Sequence, residues 1–177
     1  MPHELVIRER RVQPDPWRIV GVAPGDPVEP LPEGPVAVPL ALWKERREAL
    51  ARRAQPVGVW LRPEDDPAQI ALDLESLPLV AVHFPKFTDG RGYSIASILR
   101  RLGYAGELRA FGDVGRDQLF YLARVGFDSF GLAPHRDAHG ALAALDGFSV
   151  RYQSSTDDPL PHFRKRARVD GRGKRRG

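Results

Sequence analysis

Short apolar runs return at intervals of 20 to 28 residues along most of this chain, and no other feature of the sequence constrains its fold as strongly. The runs begin near Val36, Val57, Leu79, Glu107, Asp128 and Phe148. The segments between them repeat apolar residues at helical spacing, most clearly over residues 95–102. Alternating strands and helices at this spacing predict βαβ units and an α/β fold with a mostly parallel sheet of about five or six strands.

The predicted α/β fold leaves two architectures open. A full eightfold βα barrel needs about 250 residues, so the 177 residues of this chain favour a partial barrel or an open sheet. Residues 1–35 are predicted to form an N-terminal β element, from the runs at 5–7 and 17–20, followed by a Pro-rich loop. Residues 36–153 supply the βα units, so residues 1–153 are predicted to be a single domain.

The net charge of +4 is unevenly distributed along the chain. Residues 164–177 contain eight Lys and Arg against one Asp, which is +7, so residues 1–163 carry −3. This composition predicts a disordered basic tail over residues 154–177. A solvated arm with incidental charge is the favoured interpretation of the tail, and a weak contact with nucleic acid is the alternative.

The chain contains no Cys, which excludes disulfides, thiolate zinc sites and cysteine-ligated iron–sulfur clusters. No apolar run approaches the ~20 residues needed to cross a bilayer, and the first ten residues carry charges where a signal peptide needs an apolar stretch. We therefore expect a cytoplasmic protein without membrane contact. No metal site is predicted, because His135 precedes the helix that carries His139 and the two lack a shared face.

The longest interval between runs, from Leu79 to Glu107, points to a binding loop. Its excess length falls in residues 85–94, directly after a predicted strand, and ligands of parallel α/β folds bind beyond the carboxyl ends of the strands. Cationic side chains, hydroxyl groups and glycines that expose backbone N–H groups together predict a site for phosphate, sulfate, sulfite or a carboxylate. The predicted binding residues are Lys86, Thr88, Gly90, Arg91, Gly92, Tyr93, Ser94 and, from the next loop, Arg116. The alternative is a tight Asp-Gly turn with solvated cations.

Two carboxylates of these loops are candidate catalytic bases. Asp89 lies within the long loop, and Asp113 follows the strand that begins at Glu107. The favoured interpretation of Asp113 is the N-cap of a helix over residues 116–125, since Asp is among the preferred cap residues; a general base or an orienter of Arg116 is the alternative. His83 ends a buried strand and is predicted to be a hydrogen-bonded structural residue. The nucleotide-binding and hydrolase motifs GxGxxG, GxxxxGK[ST] and GxSxG are absent, so no cofactor is assigned.

Several blocks of the sequence resemble a family of bacterial conserved proteins. The blocks are FPKFTDGRGYS at residues 84–94, GELRA at 106–110, RDQLFY at 116–121 and GFDSF at 126–130. Members of this uncharacterised family are described as oxidoreductases involved in sulfite reduction. The resemblance covers residues 1–153 and implies a role in sulfate assimilation.

The resemblance and the composition together favour an accessory role. A six-electron reduction of sulfite needs a redox centre, normally sirohaem with an iron–sulfur cluster, and this chain has no Cys to ligate such a cluster. We expect an accessory protein that binds the sulfite reductase, or an oxyanion, or a carboxylate-rich cofactor such as sirohaem. The alternative is a small barrel-like lyase, isomerase or transferase that acts on a phosphorylated or carboxylated metabolite, with Asp89 or Asp113 as base.

Overall fold

A computed structural model describes residues 5–132 and 137–146, which form one curled sheet with helices on its outer face. The strands are β1 (Leu5–Arg8), β2 (Arg11–Pro14), β3 (Arg18–Ile19), β4 (Val36–Pro39), β5 (Val57–Leu61), β6 (Leu79–Phe84), β7 (Glu107–Gly112) and β8 (Ser129–Gly131). The helices are α1 (Leu40–Ala51), α2 (Arg91–Arg101), α3 (Leu119–Val125) and α4 (Ala138–Asp146), with a short 3₁₀ helix at Pro67–Ile70. The strand predicted near Phe148 and the tail predicted over 154–177 lie outside the described residues.

The eight strands run in the order β2-β1-β8-β7-β6-β5-β4-β3. The strands from β3 to β8 pair in parallel with their neighbours, whereas β1 is antiparallel to both β8 and β2. The predicted α/β class and mostly parallel sheet are therefore confirmed. The predicted strand number is too low, because the N-terminal β element adds three strands to the main sheet and these strands flank its two edges.

A three-residue connection forces the sheet to curl. The strand β2 ends at Pro14 on one edge and β3 begins at Arg18 on the opposite edge. Four extended Cα steps reach about 14 Å, whereas the edges of a flat eight-stranded sheet are about 34 Å apart at ~4.8 Å per strand spacing. The sheet therefore bends into a half-barrel, the partial-barrel form of the two predicted architectures, and residues 15–17 cross its inner side.

Alternating residues of the parallel strands divide the core into an outer and an inner layer. The outer layer packs against the helices and includes Val38, Val59, Val82, Phe84 and Leu108. The inner layer contains Ala37, Trp60, Leu79, Ala81 and Phe111, and it packs against Trp17 of the crossing segment and Ile19 of β3. Burial of β5 on both faces explains why its sequence is continuously apolar. All three Trp residues, Trp17, Trp43 and Trp60, are buried.

A buried ionic cluster fastens the crossing segment to the inner face. The side chains of Arg109 and Asp15 are both fully buried, and Arg109 Nη1 donates to both carboxylate oxygens of Asp15 at 2.8 and 2.7 Å. Arg109 also donates from Nη2 to Glu107 at 2.6 Å and from Nε to the Ser129 hydroxyl at 3.2 Å. Burial by itself would raise the pKa of Glu107, but Arg109, Ser129 and Arg8 outweigh it and hold this pKa below its ordinary value.

The helical layer departs from the sequence prediction at one element. Apolar spacing over residues 70–77 predicts a helix, but the chain forms the 3₁₀ helix Pro67–Ile70 followed by turns. Asp66 caps this 3₁₀ helix, because its carboxylate accepts the backbone N–H of Ala68 at 3.0 Å. Asp73 fixes the rest of this segment by accepting from Trp43 Nε1 at 3.0 Å. Among the described residues, no helix combines the length and apolar character needed to cross a membrane.

Loss of the Asp15 carboxylate is expected to destabilise the fold strongly. Asp15→Asn removes the negative charge and one of the two oxygens that accept from Arg109 Nη1, and disrupting a buried ion pair by removing one charge costs about 3–5 kcal/mol. Glu48→Gln is the matched control: Glu48 pairs with Arg52 in full exposure, so its loss should cost less than about 0.5 kcal/mol. Urea denaturation measures both free energies of unfolding, and equal values for the two variants would contradict the assignment.

Candidate functional site at the carboxyl edge of the half-barrel

The predicted binding loops lie together at the edge where the parallel strands end. Residues 62–66 follow β5, residues 85–90 follow β6 and residues 113–118 follow β7, and these three strands are neighbours in the sheet. The next loop contains residues 133–136, which lie outside the described residues and include His135. Among residues 5–132 and 137–146, no group of three or more metal-ligating side chains comes together.

Asp113 joins two of these loops. Its carboxylate accepts the backbone N–H of Phe87 at 3.1 Å, and its own N–H donates to the Phe84 carbonyl at 2.8 Å. Gln118 adds a bond from Nε2 to the Phe87 carbonyl at 2.6 Å. The backbone reaches this position through Gly112, whose φ of 103° favours glycine and whose Cβ position would collide with the Phe84 carbonyl.

The favoured prediction that Asp113 caps the following helix is wrong. The helix α3 begins at Leu119, with Gln118 as its N-cap residue. A turn precedes it, in which Gln118 N donates to the Gly115 carbonyl at 3.0 Å and Gly115 N donates to Gln118 Oε1 at 2.9 Å. This turn separates Asp113 from the helix, so its carboxylate serves the neighbouring loop instead.

Asp89 and Arg91 pair with each other inside the long loop. Arg91 donates from Nη2 to Asp89 Oδ2 at 2.7 Å and from Nε to Oδ1 at 3.0 Å. The hydrogen bond from Arg91 lowers the pKa of the Asp89 carboxyl. Two predicted site residues are thus brought together, and each already neutralises the charge of the other.

The predicted residues of α2 have different surroundings. Gly90 is the N-cap residue and has open space where a side chain would stand. Gly92 is buried against the Phe84 ring, where a Cβ would collide, so packing accounts for this glycine. Tyr93 and Ser94 line a cleft of about 580 Å³ that continues along α2 to Arg101. Burial raises the pKa of the Tyr93 hydroxyl.

Among residues 5–132 and 137–146, three cationic side chains of these loops form no ion pair with a carboxylate. Lys86 and Arg116 are two of them, and both are exposed, as is Thr88 in the loop of Lys86. Arg62 lies on the third loop with its guanidinium carbon 5.5 Å from the centroid of the Trp60 ring. Each cation therefore follows a different one of three adjacent strands. Lys86 and Arg116 are ligands predicted from the sequence, whereas Arg62 is not among them, although its place directly after β5 is a usable signal.

His83 is the second residue that the sequence analysis does not assign to the site. It occupies the last inner-facing position of β6, where its ring centroid lies 5.0 Å from that of Phe111 and 5.9 Å from that of Trp60. His83 is predicted to be a hydrogen-bonded structural residue, but its ring forms no hydrogen bond with the described residues. The half-buried ring contacts aromatic rings instead. Burial and then the charge of Arg62 lower the pKa of His83. Alternation along β6 was the signal that could have placed it inside the half-barrel.

The comparison with protein families gives one match. Residues 58–163, more than half of the chain, match the family described as bacterial protein of unknown function (DUF934). The chain belongs to this DUF934 family. The matched segment begins in β5 and includes all three loops of the site. No match was found among curated proteins or among solved structures.

Removal of the Arg62 charge is expected to raise the pKa of His83. Arg62→Gln removes the repulsion of the imidazolium by the guanidinium, while burial still holds the pKa below about 6.5, the ordinary value for His. Titration of the imidazole C–H resonances by NMR measures the change. Arg101→Gln, on the outer face of α2, is the control and should leave the pKa unaltered, and an unaltered value in Arg62→Gln would contradict the placement.

Proposed function

We propose that this member of the DUF934 family is an accessory protein of assimilatory sulfite reduction that binds an anionic ligand at the carboxyl edge of its half-barrel. The observation that carries the proposal is a set of three cations, Arg62, Lys86 and Arg116, which lie on loops after three adjacent strands and form no ion pair with the described residues. Cationic donors on neighbouring loops are suited to an oxyanion or a carboxylate. The resemblance of the loop sequences to proteins described as acting in sulfite reduction supports the pathway.

The ligand classes follow from the chemistry of the three cations. Sulfite, sulfate and phosphate offer several oxygens that can accept from Arg and Lys at once. A carboxylate-rich cofactor such as sirohaem offers the same acceptor groups on a larger frame. The chain has no Cys for an iron–sulfur cluster, so we assign the electron transfer to the sulfite reductase and the binding to this protein.

A small metabolic enzyme is the second candidate. Its support is the position of the site, because barrel enzymes place their catalytic groups at the carboxyl ends of the strands. His83 adds to this support: its lowered pKa keeps the imidazole neutral near pH 7, and a neutral imidazole can accept a proton. In this hypothesis Asp89 or Asp113 remains an alternative base, although Arg91 and the Phe87 N–H already occupy the two carboxylates.

Anion binding is tested by thermal shift. Sulfite, sulfate and phosphate are added separately to the protein. A ligand at 100 times its Kd should stabilise the native state by about 2.7 kcal/mol. Each kcal/mol raises the Tm of a chain of this length by about 2–4 °C. The triple variant Arg62→Gln, Lys86→Gln and Arg116→Gln should lose the shift, whereas Arg11→Gln, exposed on β2 at the opposite edge of the sheet, should retain it. The absence of a shift with all three anions, or an unchanged shift in the triple variant, would contradict the proposed site.

Growth of a deletion strain tests the pathway and separates the two candidates. The strain is expected to require cysteine when sulfite is the only other sulfur source, and normal growth on sulfite would refute the proposal. Asp113→Asn keeps an amide oxygen that can accept the Phe87 N–H, so an accessory protein with this change should restore growth. An enzyme that uses Asp113 as its base should not restore growth with the same variant.

A further inference from the structure

Phe87 is presented outward from a backbone that is held on both sides. Its side chain is 61% exposed, although it lies between the buried strand β6 and the helix α2. Its N–H donates to the Asp113 carboxylate at 3.1 Å, and its carbonyl accepts from Gln118 at 2.6 Å. Both polar groups of a single peptide position are thus fixed by side chains of the neighbouring loop. An exposed ring on an immobilised backbone loses little conformational entropy when it is covered by a partner.

Exposure alone does not distinguish Phe87, because single exposed apolar residues are common on protein surfaces. Leu72, for example, is 91% exposed, and no described side chain clamps its backbone. A second exposed ring, Tyr121, is 56% exposed and follows Gln118 by three residues in the chain. The hydrogen bond from Gln118 to Phe87 therefore links the loop that carries Lys86 and Phe87 to the segment that carries Arg116 and Tyr121.

We infer that Phe87 is the anchor of a protein-docking surface formed by Lys86, Phe87, Arg116 and Tyr121, whose partner presents an apolar pocket flanked by carboxylates. Aromatic and Arg side chains dominate the energetics of protein interfaces, and an anchor ring that fills a pocket typically contributes most. The two cations have no ion pair with the described residues, so on docking they can exchange the bound anion for acidic groups at the rim of that pocket.

We take the partner to be the sulfite reductase, and this choice of partner rests on the proposed function. An accessory protein that delivers an anionic ligand must release it near the partner's active site. Phe87 belongs to the same loop as Lys86, so docking through Phe87 would bring the anion-binding edge against the reductase. The ring itself is not required for anion binding, because it offers no donor or positive charge. The two roles can therefore be separated by substitution.

Binding of the purified sulfite reductase of the source bacterium to the immobilised full chain tests the inference. Phe87→Ala should weaken the complex by about 30-fold or more, the usual effect of removing an interface anchor. The same variant should keep the wild-type unfolding midpoint, because the ring is exposed, and the wild-type thermal shift with sulfite. Leu72→Ala is the matched control, since it removes an exposed apolar side chain elsewhere and should leave the affinity unchanged.

The outcomes separate a wrong anchor from a wrong function. Equal affinity of the wild-type chain and Phe87→Ala would overturn the docking surface and leave the accessory function in place. An equal loss in Leu72→Ala would also overturn it, because the contact would then be unspecific. If the wild-type chain does not bind the reductase at any ionic strength, both the docking surface and the proposed partner are refuted, even if sulfite still stabilises the protein.

Discussion

Residues 15–17 determine the shape of the protein more than any other segment. They join the two edge strands of an eight-stranded sheet, and a connection of this length is possible only when the edges approach each other. The segment also fills the concave side that the curvature creates, with Trp17 in the inner apolar layer and Asp15 on Arg109. A buried Arg is costly unless all its donors are satisfied, and here carboxylates on two sides satisfy it. Curvature and charge burial are thus parts of one arrangement.

The curvature also determines the chemistry available at the carboxyl edge. Bending brings the inner-facing ends of β5, β6 and β7 close together, and Trp60, His83 and Phe111 meet there as a ring cluster. The polar groups lie on the loops beyond this cluster, where the carboxylates of Asp89 and Asp113 are used within the loops themselves. Among the described residues, Arg62, Lys86 and Arg116 form no ion pair, and the Phe87 ring is exposed. The proposed ligand and the proposed partner depend on these groups.

The sequence predicts the repeating part of this structure well. Strands at Val36, Val57, Leu79, Glu107 and Asp128 follow from apolar runs at regular spacing, and the parallel sheet follows from the helices between them. The place of β1 and β2 beside β8 does not follow, because edge pairing depends on contacts between residues far apart in the chain. Arg109 is missed for a similar reason: its burial depends on Asp15, which lies 94 residues away.

The site is predictable in position and less so in detail. The rule that ligands bind beyond the carboxyl ends of parallel strands selects loops that follow three adjacent strands of the sheet, and the length of the segment after β6 marks one of them. The sequence does not show which charged side chains of a loop pair with each other. Asp89 and Arg91 are therefore predicted as separate site residues, although they form hydrogen bonds with each other. Similarly, the sequence does not show that a turn at 115–118 separates Asp113 from α3. Because of this turn, the Asp113 carboxylate accepts from the Phe87 N–H and does not cap the helix.

The pairing of β1 with β8 has a consequence for how the chain reaches this structure. Val6 lies opposite Gly131, so these partners are separated by 131 − 6 = 125 residues. Contacts over such distances in the chain slow folding, because a large loop must close before they form. During synthesis β1 and β2 emerge long before β8 exists, and the free edge of β1 has no native partner in that interval. The β1–β2 hairpin covers only the other edge of β1, so a chaperone that covers the edge facing β8 would protect the nascent chain from association with other strands.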